Sequence, residues 1–267
     1  MITREYKRKI LERFKNDEEK VLVANVLDKI YRFEKIGKIE YTCFLNLNEF
    51  NIISAILNEL NISYEIFSLN DKLTKKMIFF IPEYINIDND FFSNYITCLK
   101  IKPNVTSKLT HKDYMGSIYS LGIKHEVIGD IFATNQAGYV FCQKIIAEYI
   151  ILNMYKVGNQ EVEVTELSFE SDEVKNLSLS FEEKEYIVAS MRIDAVLATI
   201  YNLSRSEVKE KIQKGDLFLN DKNEYYLSHS LKEGDIISFK RCGKFKVGKE
   251  LRKTRSDRTV ILIYKYS

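Results

Sequence analysis

The stretch from Met191 to Asn220, MRIDAVLATIYNLSRSEVKEKIQKGDLFLN, constrains the fold more tightly than any other part of the chain. Ile193, Val196, Leu197 and Ile200 stand at i, i+3, i+4 and i+7, which makes one apolar stripe on a helix. A second helix opens at Ser204, with Glu207 three residues on as the other half of a capping box. Val208 and Ile212, four apart, give that helix a face to bury, and Gly215 supplies the left-handed residue that ends it. Asp216 to Asn220 then starts a strand. Two short helices must therefore pack on a small sheet. Arg205 and Lys209, also four apart, project from another face, with Lys211 and Lys214 beside them. The Ser204 and Ser206 amides and hydroxyls at the helix start, next to Arg205, form a seat for an anion. A solvated surface helix is the competing reading, because Glu207 and Glu210 sit among the cations.

Charge is divided along the chain. Residues 190–267 carry 17 Lys/Arg against 10 Asp/Glu, a net +7, whereas residues 1–189 carry 23 against 28, a net −5. Residues 160–186 hold nine acids and two bases. The pattern reads as an acidic connector leading into a basic module. No segment has the unbroken apolar run of a membrane span, and the opening MITREYKRKILERF is amphipathic rather than a signal peptide. Cys43, Cys98, Cys142 and Cys242 lie far apart with no C-x-x-C pair, so free thiols in a cytoplasmic setting are expected, with no metal and no cofactor.

Periodicity divides the chain into an α+β protein of three small domains. Residues 1–90 form an N-terminal α/β domain, with one helix over 3–33, another over LNLNEFNIISAILNEL, then two strands. Residues 91–175 follow a βαββαβ order, the split arrangement of ferredoxin-like and RNA-recognition folds. The aromatic strand motif that stacks bases in RNA-recognition domains is missing from this region. Residues 176–189 read as the acidic linker and 190–267 as the basic domain.

In that last domain FKRCGKFKVGKELRKTRSDR packs nine bases and two acids into twenty residues, with Phe239 and Phe245 interleaved. Lys240, Arg241, Lys244 and Lys246 add to Arg192, Ser204, Arg205, Ser206, Lys209, Lys211 and Lys214 as the candidate RNA-binding set. Such a surface is expected to neutralise RNA phosphates and release counterions. Lys112, Lys124 and His125 of the middle domain are a candidate second RNA contact. Tyr114, Ile118 and Leu121 are read as packing that domain's helix on its sheet.

Arg192-Ile193-Asp194, Ser204-Arg205-Ser206, Lys214-Gly215-Asp216, Asn220 and Lys232-Glu233-Gly234-Asp235 together resemble the S4 RNA-binding domain over residues 190–247. LTHKDYMGSIYSLGIKHEVIGDIF and IAEYIILNMYKVG resemble the middle domain of the bacterial YlmH family, three-domain proteins that end in an S4 domain. CFLNLNEFNIISAIL also fits that family's amino-terminal part. The resemblance implies a non-enzymatic protein that docks on rRNA of the large ribosomal subunit carrying peptidyl-tRNA, in ribosome-associated quality control. It matches the family's helix-start Arg and the Lys one turn later to Arg205 and Lys209. Where the family often has Arg-Gly-Phe-Gly-Arg, this chain has Lys240-Arg241-Cys242-Gly243-Lys244, which keeps the charge and replaces the aromatic by Cys242.

The partners implied are rRNA and tRNA, with no membrane and a monomeric chain. Two other classes compete. An S4-bearing RNA-modifying enzyme needs a pseudouridine synthase Asp in a Gly-Arg-Leu-Asp setting or a methyltransferase G-x-G-x-x-G loop, and neither occurs. A protein-interaction module in cell division would use the acidic segment and the amino-terminal helices instead.

Overall fold

The computed structural model describes residues 3–67, 74–88, 90–105, 108–177, 181–240 and 242–266. The chain is α+β and divides into two compact units, Met1–Ser178 and Leu179–Ser267.

The first unit opens with α1 (Arg4–Leu11) and α2 (Asp17–Ile36). Periodicity reads these as one helix, but Asn16 interrupts it. Its side chain accepts the Glu18 amide at 2.8 Å, and Asp17, Glu18 and Glu19 fill the positive first turn of α2. Gly37, at φ +68°, closes α2. There follow β1 (Glu40–Tyr41), α3 (Leu47–Glu59), β2 (Glu65–Phe67) and β3 (Met77–Phe80), the strands pairing antiparallel in the order β1-β3-β2. All four β3 side chains are fully buried. Ile78 and Phe80 face the helices, while Phe79 packs its ring against Tyr41, Phe91, Phe92 and Tyr95 on the other side.

The same unit continues with β4 (Ile96–Pro103), α4 (His111–Ser120), β5 (Ile128–Ala133), β6 (Gly138–Gln143), α5 (Lys144–Asn153), β7 (Lys156–Val157), β8 (Gln160–Leu167) and α6 (Asp172–Lys175). The sheet order is β5-β6-β4-β8-β7, antiparallel throughout. α4 and α5 cover one face through Tyr114, Ile118, Ala147 and Ile150. The boundary near residue 90 does not separate independent bodies. The buried Asp130 carboxylate of β5 accepts the Thr74 and Lys75 amides, each at 3.0 Å, and Lys75 Nζ donates to the Ile128 carbonyl at 2.7 Å. A buried carboxylate needs such donors, so these bonds tie the two halves together.

The second unit consists of β9 (Phe181–Val188), α7 (Ile193–Tyr201), α8 (Arg205–Gln213), β10 (Leu217–Leu219), β11 (Lys222–Asn223), β12 (Ile236–Phe239), β13 (Gly243–Lys253) and β14 (Thr259–Tyr266). Its six strands lie in the order β11-β10-β12-β13-β14-β9. The acidic segment read as a linker over 176–189 is largely the edge strand β9, paired with β14 from Val188↔Thr259 to Phe181↔Tyr266. The reason is local. Tyr186 and Val188 alternate toward the core while Glu183 and Glu185 point away, so the segment satisfies β14 on one side and water on the other.

Candidate nucleic-acid interface

α7 and α8 are seated on the sheet by the residues that their periodicity marks. Ile193, Val196, Leu197, Val208 and Ile212 are fully buried in one cluster with Ile237, Phe239, Phe245 and Val247. At roughly 2 kcal/mol for each fully buried aliphatic side chain, this cluster dominates the local energetics. The Ser204–Glu207 capping box is complete, and Gly215 leaves α8 at φ +76°. Asn220 and Asp235 form a clasp. Asn220 Nδ2 donates to Asp235 at 3.0 Å, its Oδ1 accepts the Ile236 amide at 2.8 Å, and Asp235 accepts the Lys232 amide at 2.8 Å. These motif residues thus hold the strand ends together rather than facing solvent as ligands.

The candidate cations fall into distinct environments. Arg192 makes a two-point ion pair with the buried Asp194, both contacts at 3.1 Å, which raises its pKa chiefly through that hydrogen bonding. Lys214 pairs with Glu210 at 2.6 Å, and Lys244 with Asp221 at 3.5 Å. Lys211 is half-buried, its ammonium 5.7 Å from the Phe239 ring. Arg205, Lys209, Lys240 and Lys246 are exposed, with no carboxylate partner among the described residues. Arg241 lies outside the described residues.

The structure does not gather these groups into one patch. Phe245 and Val247 point to the helix-covered core, so the pleat turns Lys244 and Lys246 to the opposite face of the sheet. Arg205 and Lys209 stay on the helical side. Cys242, in the position where the resemblance expects an aromatic, packs half-buried against the core.

The anion seat at the start of α8 is partly filled from within. Glu207 accepts the Ser204 amide at 2.8 Å and the Ser204 hydroxyl at 2.7 Å, and Ser206 Oγ lies 2.9 Å from Ser204 Oγ. The Ser204 hydroxyl, followed by the Ser204 amide, holds the Glu207 carboxyl below the usual 4.5. Because this pKa is depressed in the folded protein, the stabilisation is present above the unfolded value and is lost as pH falls through the folded one. The contacts of the carboxylate are therefore expected to open as pH falls below the usual 4.5, read as reduced protection of the Ser204 amide against hydrogen exchange. Glu207→Gln preserves a capping box while removing an anion beside Arg205. It is expected to tighten RNA binding about two- to threefold in a fluorescence-anisotropy titration, since one opposing charge is gone. Weaker binding by a folded variant would show that the carboxylate is part of the contact.

The second candidate set does not converge either. Lys112 stands in the first turn of α4 and Lys124 beyond its last, with the helix between them. Lys124 lies 4.0 Å from Glu126, and the His125 ring is 3.7 Å from that of Tyr119. Tyr114 is buried, in keeping with its reading as a packing residue. On the sheet face away from α4 and α5, Phe132, Tyr139 and Phe141 do form an aromatic row, but all three are buried. Phe169 packs on Phe141, Glu173 of α6 accepts the Tyr139 hydroxyl at 3.2 Å, and Gly129 leaves room for Phe44. Bases have no access to that row. Among the described residues no group of His, Cys, Asp and Glu is placed to hold a metal, and no helix is long and apolar enough to cross a membrane.

Residues 89–171 match the family described as "Putative RNA-binding domain in YlmH". The chain is 22% identical over 249 residues to the ribosome-associated protein quality control protein P2 of Bacillus subtilis (strain 168), an alignment that covers 93% of this chain and 95% of the relative. The solved structure of cell division protein ylmH from Streptococcus pneumoniae aligns with 58% of this chain and 94% of its own, at 15% identity and a TM-score of 0.49. Residues 89–171 thus carry a domain of the YlmH type, and the chain as a whole is similar to the Bacillus relative along nearly its full length.

Proposed function

We propose that this protein is a non-enzymatic RNA-binding factor of ribosome-associated quality control. Its C-terminal unit, read as an S4 domain, docks on rRNA of the large ribosomal subunit with peptidyl-tRNA close by. One observation carries the reading. Arg205 and Lys209 stand one turn apart on α8, exposed and without carboxylate partners among the described residues, while Val208 and Ile212 lock the helix in the core. Two unneutralised cations on a rigid helix edge suit successive phosphates of a structured RNA, where counterion release favours contact and shape outweighs base identity. The matched RNA-binding domain and the name of the Bacillus relative support a ribosome-associated RNA-binding role.

The test is crosslinking of the full chain to RNA in cells, followed by sequencing. Reads concentrated on large-subunit rRNA are expected, with tRNA reads if peptidyl-tRNA is touched. Reads spread evenly over messenger RNA would overturn the docking site. Incubating rRNA or tRNA with the protein and candidate cofactors addresses catalysis. A modified nucleotide found by mass spectrometry would overturn the non-enzymatic reading.

A further inference from the structure

We propose that Lys184 and Lys265, positioned by Tyr186, form a second phosphate-binding element that continues the α8 edge across the end of the sheet. The proposal rests on the RNA-binding reading above and names residues outside the candidate set. In the β9–β14 pair Lys184 stands opposite Ile263 and Tyr186 opposite Ile261, both core residues beneath the helices. Lys265 stands opposite the buried Phe245. All three side chains therefore occupy the helix-bearing face.

There the two ammonium groups converge on one ring. Lys265 Nζ lies 5.3 Å from the Tyr186 centroid and 5.9 Å from that of Tyr201, and Lys184 Nζ lies 5.6 Å from Tyr186. Among the described residues no acid forms an ion pair with either lysine. Glu182 faces Lys265 in register without forming an ion pair, and Glu183 and Glu185 point to the other face, where Glu185 accepts from Arg252 at 2.8 Å. Ring quadrupoles hold the two lysines in place but do not cancel their repulsion. An anion shared between them would. The position is also apt, because Tyr201 ends α7 and Ser204 caps α8 only three residues later, at most about 11 Å of chain. The chemistry is that of an RNA phosphodiester next to those held by Arg205 and Lys209.

The experiment is a salt titration of the full chain against a fluorescein-labelled RNA hairpin with a single-stranded tail. Lys184→Gln/Lys265→Gln is compared with wild type and with Arg205→Glu/Lys209→Glu. The lysine pair is expected to weaken binding about three- to tenfold and to flatten the slope of log K against log salt by about 0.7, the value for one single-strand phosphate. Tyr186→Leu keeps the apolar contact with the core and removes the ring, and a smaller loss, about two- to threefold, is expected. If that variant misfolds, the lysine pair alone decides. Wild-type binding by the lysine pair together with weak binding by the α8 variant would overturn this element and leave the RNA reading standing. Wild-type binding by both variants, or no binding by wild type, would overturn the RNA reading and this element with it.

Discussion

Reversing both free cations of α8, in Arg205→Glu/Lys209→Glu, is expected to weaken binding to large ribosomal subunits by at least about tenfold at physiological salt. The salt dependence should flatten by about 2, one for each phosphate that is no longer neutralised. The fold should survive, because neither side chain enters the core and the Ser204–Glu207 cap is untouched. Exposed substitutions of this kind change stability within about 0.5 kcal/mol. Co-sedimentation with purified large subunits across a salt series measures the effect, and thermal unfolding checks the fold. Neutralising Lys244 and Lys246 is the informative control, since the pleat puts them on the other face of the sheet. A loss confined to the α8 variant supports docking through the helical side. Wild-type co-sedimentation by that variant would remove the surface assigned here.

The largest stability effect is expected at Gly138, in the first position of β6. A Cβ there would lie 2.5 Å from Cδ1 and Cε1 of Tyr114 and 2.7 Å from its Cζ. The ring cannot retreat, because Tyr114 is 1% exposed and packed in the cluster that joins α4 and α5 to the sheet. Gly138→Ala is therefore an overpacking change at the upper end of the usual range, about 3 kcal/mol. For a unit of this size that corresponds to a fall in Tm of about 6–12 °C, measurable by circular dichroism. A double-mutant cycle with Tyr114→Leu identifies the cause. The smaller side chain should relieve part of the alanine's cost, giving a coupling of at least about 1 kcal/mol. Additive losses would mean that the close approach of ring and glycine does not set the cost.

Local signals were readable from sequence wherever the interaction that fixes them spans only a few residues. The capping box at Ser204 and Glu207, the apolar stripe of α7 and the left-handed Gly215 all depend on neighbours within one or two turns. The break between α1 and α2 was equally local, marked by Asn16 before three acids, yet the apolar repeat on both sides concealed it. Strand β9 was hidden for a different reason. Two of its acids, Glu183 and Glu185, belong to the face away from the core, and only its partner β14 shows that Tyr186 and Val188 complete a core. The same misreading concealed Lys184, whose significance depends on Lys265 some eighty residues away.

What the sequence determined by itself is the α+β class, the two short helices of the second unit, the cap on the second of them, and the excess of positive charge that they share with the strands after them. The direction in which each charge points was decided only by tertiary structure. Alternation along β13 shows that Lys244 and Lys246 oppose Phe245 and Val247, but which face the helices cover is a matter of packing between distant segments. The same packing closes the aromatic row of Phe132, Tyr139 and Phe141 to any base and ties the buried Asp130 to Thr74 and Lys75. Short-range hydrogen bonds and periodicity are written in neighbouring residues; burial is a property of surfaces that meet only once the chain has folded.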